Sequence, residues 1–121
     1  MKHTLNTQEK YVVIQLHEEK LNTQIAPDLK AQFVYLSGKG MKNIIVDLTE
    51  VKYCDSSGLS AVLVGNRLCK NLNGSFVLAK IQDSVMKLIS ISQLESVLNI
   101  VPTVQEATDL VLMDEIERDI K

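Results

Sequence analysis

The chain has 121 residues, the length of one domain; 45% are hydrophobic and 23% charged, ordinary for a globular protein, while aromatics are only 4% and tryptophan is absent, so the core must rest on Leu, Ile and Val. A net charge of −2, with no basic patch interleaved with aromatics, argues against nucleic acid as a partner. No window approaches the roughly 18 consecutive apolar residues of a membrane span, and Met1-Lys2-His3-Thr4 leads into no signal-peptide apolar segment, so no membrane association is expected and the cytoplasm is the expected compartment.

Residues 2–7 are expected to form a short edge strand, closed by polar Gln8-Glu9-Lys10. Tyr11 to Leu16 is rich in β-formers, and Val12, Ile14 and Leu16 share one face at a period of two. Polar His17-Glu18-Glu19-Lys20 ends it. Ile25, Leu29, Phe33 and Leu36 then make a helical stripe, with Pro27 in the first turn and Gly38-Lys39-Gly40 as the stop. Ile44-Ile45-Val46-Asp47-Leu48 is a continuous apolar run with one acid near its end, the pattern of a buried parallel strand.

A loop is expected from there through Tyr53 to Asp55. From Ser57 to Leu72 the pattern turns helical, and Leu59, Val62 and Leu63 together with Ala61, Val64 and Leu68 predict burial on more than one side. Asn73-Gly74 ends this helix, and Ser75 to Ala79 is the next strand. A helix begins near Asp83, capped by Asp83 or Ser84, and carries Val85, Leu88 and Ile89. Val97 to Ile100 is a short strand. Thr103-Val104-Gln105-Glu106 is a capping-box pattern that starts a last helix with Val104, Ala107, Leu110 and Val111 inward. The segment from Met113 to Lys121 continues this helix or frays. Its acidic stretch Asp114–Asp119 reads as a solvated face, with a partner-docking helix as the alternative. The order β-β-α-β-α-β-α-β-α predicts an α/β domain with a mostly parallel sheet, an antiparallel hairpin at the start and right-handed crossovers.

The residues with the most chemical content lie after the central strand. Asp55, Ser56 and Ser57 immediately precede or open the buried helix, and Gly58 lies in its first turn. Asp and Ser are strong N-caps because their oxygens accept orphan backbone N–H groups. That structural role is complete in itself. The same helix end also offers free donors and a positive dipole, so it tolerates a phosphate, and a phosphoserine there adds about −1.5 to −2 charge. Gly58 is expected to keep the adjacent surface low for a visiting active site.

The run Ile44-Val46-Asp47-Leu48, then Val51, then Asp55-Ser56-Ser57-Gly58-Leu59 resembles the signature of STAS domains, and among these the anti-sigma factor antagonists. The resemblance covers nearly the whole chain: Lys20 to Thr23 and Ala26 to Leu29 are similar to the family's segment before its first helix, and Gly74 to Leu78 to its next strand. It implies a single STAS domain over residues 1–121, with a mixed, mostly parallel sheet of four to five strands and about four helices packed mainly on one face. It implies partner switching without catalysis and without a cofactor. An anti-sigma serine kinase of the histidine-kinase-like ATPase fold binds the unmodified antagonist, phosphorylates Ser56 and is released, and a PP2C-type phosphatase resets the serine. Ser57 is the runner-up acceptor. Asn22, Thr23, Asp55, Ser56, Ser57, Gly58 and Leu59 are the implied partner-binding residues. Asn22 stands where many members carry Asp, which removes a charge near the acceptor. The alternative within the same family is an accessory subunit of a lipid or anion transport complex, which docks constitutively and needs no acceptor serine.

Other chemistries lack their residues. His3 and His17 lie on the first two strands, away from the serines, with His17 expected at a strand end in solvent, so no hydrolase base is in place. Cys54 and Cys69 lack metal-ligand spacing and a CxxC pair and are expected as buried, reduced thiols. Glu18 and Glu19 would point to opposite faces of a strand. No phosphate-binding glycine loop is present, and Gln15-Leu16-His17 supplies none of the clustered acids of a phospho-aspartate receiver.

Overall fold

A computed structural model describes residues 1–120. The elements are β1 (His3–Thr7), β2 (Val12–Leu16), β3 (Lys20–Leu21), α1 (Ala26–Gly38), β4 (Ile44–Asp47), β5 (Tyr53–Cys54), α2 (Ser56–Asn71), β6 (Phe76–Ala79), α3 (Asp83–Ile91), β7 (Asn99–Val101) and α4 (Val104–Ile120). Five strands form the main sheet in the order β1-β2-β4-β6-β7. β1 and β2 are the expected antiparallel hairpin, and every other pairing in this sheet is parallel.

Register explains why the apolar runs read as they do. Val12 lies beside Ile44 and Ile44 beside Phe76, while Ile14 lies beside Val46 and Val46 beside Leu78. These rows form one face, which packs against Leu29 and Phe33 of α1, Leu59 and Val62 of α2, and Val85 and Ile89 of α3. The alternate row, Ile45 and Val77 with Ala79, packs on Ala107 and Val111 of α4. β4 and β6 are therefore buried on both faces, which is why their runs are unbroken. Three helices lie on one face and α4 covers the other, so the helices are packed mainly, but not wholly, on one face.

Several local expectations are corrected. The segment 53–55 is not all loop: Tyr53–Cys54 pairs in parallel with Lys20–Leu21, making a second, two-stranded sheet outside the main one. Runs of two residues carry no periodicity, so neither strand is legible locally. The α2 stripe is narrower than its apolar residues suggest. Leu63, Val64 and Leu68 are only partly buried, and the tight face is built from Gly58, Leu59, Ala61, Val62, Gly65, Asn66 and Cys69. A Cβ on Gly65 would lie 2.5 Å from the Phe76 ring and 2.8 Å from the Phe33 ring. Those rings meet edge to face at 5.5 Å. At the end of α2 the left-handed residue is Asn73 (φ 60°), whereas Gly74 is required because the Lys42 carbonyl sits against it.

The N-cap of α3 is Gln82, without a side-chain cap bond; Asp83 is the first helical residue and the Ser84 hydroxyl instead donates to the Lys52 carbonyl. β7 starts two residues later than expected because Val97 and Leu98 donate backbone bonds to the Leu94 carbonyl, closing a turn. Half of the α4 capping box forms: the Glu106 amide donates to Thr103 Oγ1 at 3.1 Å, while the Glu106 carboxylate accepts from the Thr103 hydroxyl at 3.2 Å in place of its amide.

The last two turns of α4 neither fray nor lie passively in solvent. Glu115 is buried, and its Oε1 accepts from Asn43 Nδ2 (2.6 Å) and Arg118 Nη2 (2.8 Å), with Lys42 Nζ at 3.6 Å. The Ser75 hydroxyl donates to Asp114 Oδ2 (2.8 Å) and accepts from Arg118 Nη1 (3.3 Å). Asn43 and Ser75 precede β4 and β6, so this polar clasp fixes the end of α4 to the start of the two central strands. The Asn43 hydrogen bond, followed by Arg118 and the Lys42 charge, holds the Glu115 carboxyl down at about 2 against the opposing effect of burial. Lys121 lies outside the described residues.

Candidate functional site

The small β3–β5 sheet positions the site. β3 leads into the loop Asn22–Ile25 and β5 leads into Asp55, so their pairing places both exits side by side. The Asp55 amide continues the ladder by donating to the Leu21 carbonyl at 3.2 Å. Asp55 is the N-cap of α2, in extended backbone, and its Oδ1 accepts from the Gly58 amide at 3.0 Å.

Ser56 is the first residue of α2 and is exposed; among the described residues its hydroxyl has no hydrogen-bond partner. Ser57 is half-buried, and its Oγ accepts from Thr23 Oγ1 at 3.3 Å. That bond joins the two loops directly. Asn22 turns its side chain into its own loop, where Oδ1 accepts from the Gln24 amide at 3.1 Å. Its carbonyl accepts from the Ile25 and Ala26 amides at the start of α1. Beside the serines opens a cleft of about 500 Å³ lined by Lys20, Asn22, Thr23, Gln24, Tyr53 and Asp55.

Gly58 and Leu59 are placed differently. Both are buried, and Leu59 belongs to the main core. The missing side chain of Gly58 does not lower the outer surface as expected: a Cβ there would lie 2.2 Å from the Leu21 carbonyl oxygen and 2.9 Å from Cys54 Sγ. Gly58 is the point where α2 presses against β3. Of the seven residues expected at the site, five form its rim and two form its footing.

Burial, and then the negative charge of Asp55, push the Cys54 thiol up to about 12. Burial does the same to Cys69, also about 12. His17 is not free in solvent: Nδ1 meets Glu50 Oε2 at 2.6 Å and Nε2 meets Thr4 Oγ1 at 2.6 Å. Among the described residues no hydrogen bond joins it to Ser56 or Ser57. Sequence reasoning missed Lys20, Gln24 and Tyr53 because they enter the cleft only through the two-residue strands.

No helix among the described residues is long and apolar enough to cross a membrane, and no group of three His, Cys, Asp or Glu side chains among them could hold a metal. The chain is similar in structure to the Thermotoga maritima protein TM1081 (TM-score 0.80, 24% identity, 90% of this chain and 93% of that one). It is similar also to the anti-sigma factor antagonist SpoIIAA, both unphosphorylated (TM-score 0.70, 19% identity, 96% and 98%) and in the phosphorylated form from Bacillus (TM-score 0.71, 24% identity, 91% and 99%). The family model for the STAS domain matches residues 3–107, and the chain therefore belongs to the STAS-domain family.

Proposed function

We propose that the chain is an anti-sigma factor antagonist that acts by partner switching, with Ser56 as its phosphorylation site. One observation carries the choice of residue: the Ser56 hydroxyl stands exposed at the first position of α2 with no hydrogen-bond partner among the described residues, while that of Ser57 is engaged by Thr23. The partner would dock on the rim formed by Asn22, Thr23, Asp55, Ser56 and Ser57, with Gly58 and Leu59 holding that rim from beneath. The partner class is a serine kinase of the histidine-kinase-like ATPase fold, and a PP2C-type phosphatase removes the phosphoryl group.

The physical basis of the switch is electrostatic. A phosphoryl group on Ser56 brings about −1.5 to −2 charge to a docking surface and leaves it unmatched there, next to Asp55. The positive end of α2 keeps the modified chain folded, so modification alters binding and not the fold. A coupling of about 1–3 kcal/mol is enough for a useful switch. The accessory-subunit reading needs no free hydroxyl, so the exposure of Ser56 favours the antagonist.

The test is intact-mass analysis of the protein from its native cell, with fragmentation to locate the modification, paired with kinase binding by Ser56→Ala and Ser56→Asp. The proposal expects one phosphoryl group on Ser56, retention of the kinase by Ser56→Ala in the presence of ATP, and weak binding by Ser56→Asp. Equal affinity for wild type and Ser56→Asp, or modification confined to Ser57, refutes it.

A further inference from the structure

In its second half α4 is amphipathic the wrong way round. Its inward line begins apolar, with Ala107 and Val111, and then becomes polar with Glu115 and Arg118 in the clasp against Asn43 and Ser75. Its outward line does the reverse. Gln105 and Asp109 are followed by Leu112, Ile116 and Ile120 at four-residue spacing, with Met113 alongside, and these four are 37%, 54%, 78% and 55% exposed. Scattered exposed apolar side chains are common, but four contiguous ones on a rigid helix mark a contact surface. Arg118 is the one basic residue of α4, and it is turned into the clasp. Four carboxylates on the helix, Glu106, Asp109, Glu117 and Asp119, are exposed. Glu117 and Asp119 stand in the last turn, where the helix dipole is already negative.

We infer that the outer face of α4 docks a basic amphipathic helix of a partner protein, its apolar side on Leu112, Met113, Ile116 and Ile120 and its Lys or Arg residues against the flanking carboxylates. The charge pattern selects this occupant. A second copy would set carboxylates against carboxylates, and an anionic lipid surface would meet the same repulsion. α4 lies on the opposite side of the main sheet from α2. Docking here therefore leaves the Ser56 rim open, and the inference stands whether or not Ser56 is phosphorylated. The clasp holds the stripe outward before any partner arrives, which lowers the ordering cost of binding.

The test titrates isotopically labelled full-length protein with a synthetic helical peptide of Leu and Lys in amphipathic order, and with the same peptide carrying Glu in place of Lys. The Leu/Lys peptide should shift amide signals along residues 109–120, and its affinity should fall with added salt. Ile116→Glu should weaken binding by at least about tenfold while leaving the unfolding midpoint unchanged, and the Leu/Glu peptide should leave the signals in place. Absence of shifts on α4, equal binding of the Leu/Glu peptide, or wild-type affinity in Ile116→Glu overturns the inference. So does a concentration-dependent dimer, or sedimentation with phosphatidylglycerol vesicles, that Ile116→Glu abolishes, since either names a different occupant.

Discussion

Replacing Gly58 with alanine forces a methyl carbon to within 2.2 Å of the Leu21 carbonyl oxygen and 2.8 Å of Leu21 Cγ. The first obstacle is backbone, held in the β3–β5 ladder by the bond from the Asp55 amide, so it cannot swing away as a side chain would. Ordinary contact requires about 1 Å more room, and the start of α2 must lift from β3 to provide it. Overpacking of this kind costs about 1–3 kcal/mol. The lift also stretches the Asp55 cap on Gly58 and the Asp55–Leu21 bond, each worth about 1 kcal/mol. The expected loss is about 2–4 kcal/mol, read as a fall of roughly 1–2 M in the urea midpoint. Gly38→Ala is the matched control, because nothing lies within 4 Å of a Cβ there and its φ is ordinary. It should leave stability unchanged or raise it by about 0.5 kcal/mol. A Gly58→Ala variant within about 0.5 kcal/mol of the wild type would refute the claim that this glycine exists for the contact with β3.

Glu115→Gln should destabilise the protein by about 1.5–3 kcal/mol at neutral pH. Because the Glu115 carboxyl is held at about 2 instead of 4.5, its contribution is complete above pH 4.5 and disappears as pH falls toward 2. Urea unfolding across that range should therefore show the variant and wild type converging in acid. Cys54 and Cys69, both raised to about 12, should resist iodoacetamide in the native protein at pH 7.5 and react together on unfolding, as followed by mass. Thr103→Ala removes the hydroxyl that accepts the Glu106 amide and should cost about 1 kcal/mol, with faster amide exchange confined to the first turn of α4.

The sequence patterns that survived comparison with the structure were those with enough residues to show a period or a punctuation mark. Val12, Ile14 and Leu16 alternate, Ile44 to Leu48 is unbroken, and Thr103 with Glu106 forms a recognised box, and each leads to the observed element. The reading weakened where an element is defined by a distant partner. Lys20–Leu21 and Tyr53–Cys54 are strands only because they meet each other, and no local pattern announces a meeting 33 residues apart. The inward turn of Glu115 and Arg118 was hidden for a related reason. A charged stretch near a chain end reads as solvated unless its buried partners, Asn43 and Ser75, are known. At the candidate site, the cap at Asp55 follows from capping chemistry, the choice of Ser56 rests on the family resemblance, and the duty of Gly58 is hidden because a missing side chain looks the same whether it opens a surface or admits a neighbour.

The two-rung ladder of β3 and β5 has a mechanical consequence. It stands apart from the five strands that carry the interior, yet it ties the approach to α1 to the approach to α2. A disturbance at residue 56 reaches residues 22–25 through one hydroxyl pair and one backbone bridge. Leu21 of that ladder and Leu59 of α2 both pack into the main core, so the rim is anchored to the interior from beneath, and a displacement at residue 56 is resisted by core packing as well as by the two loops.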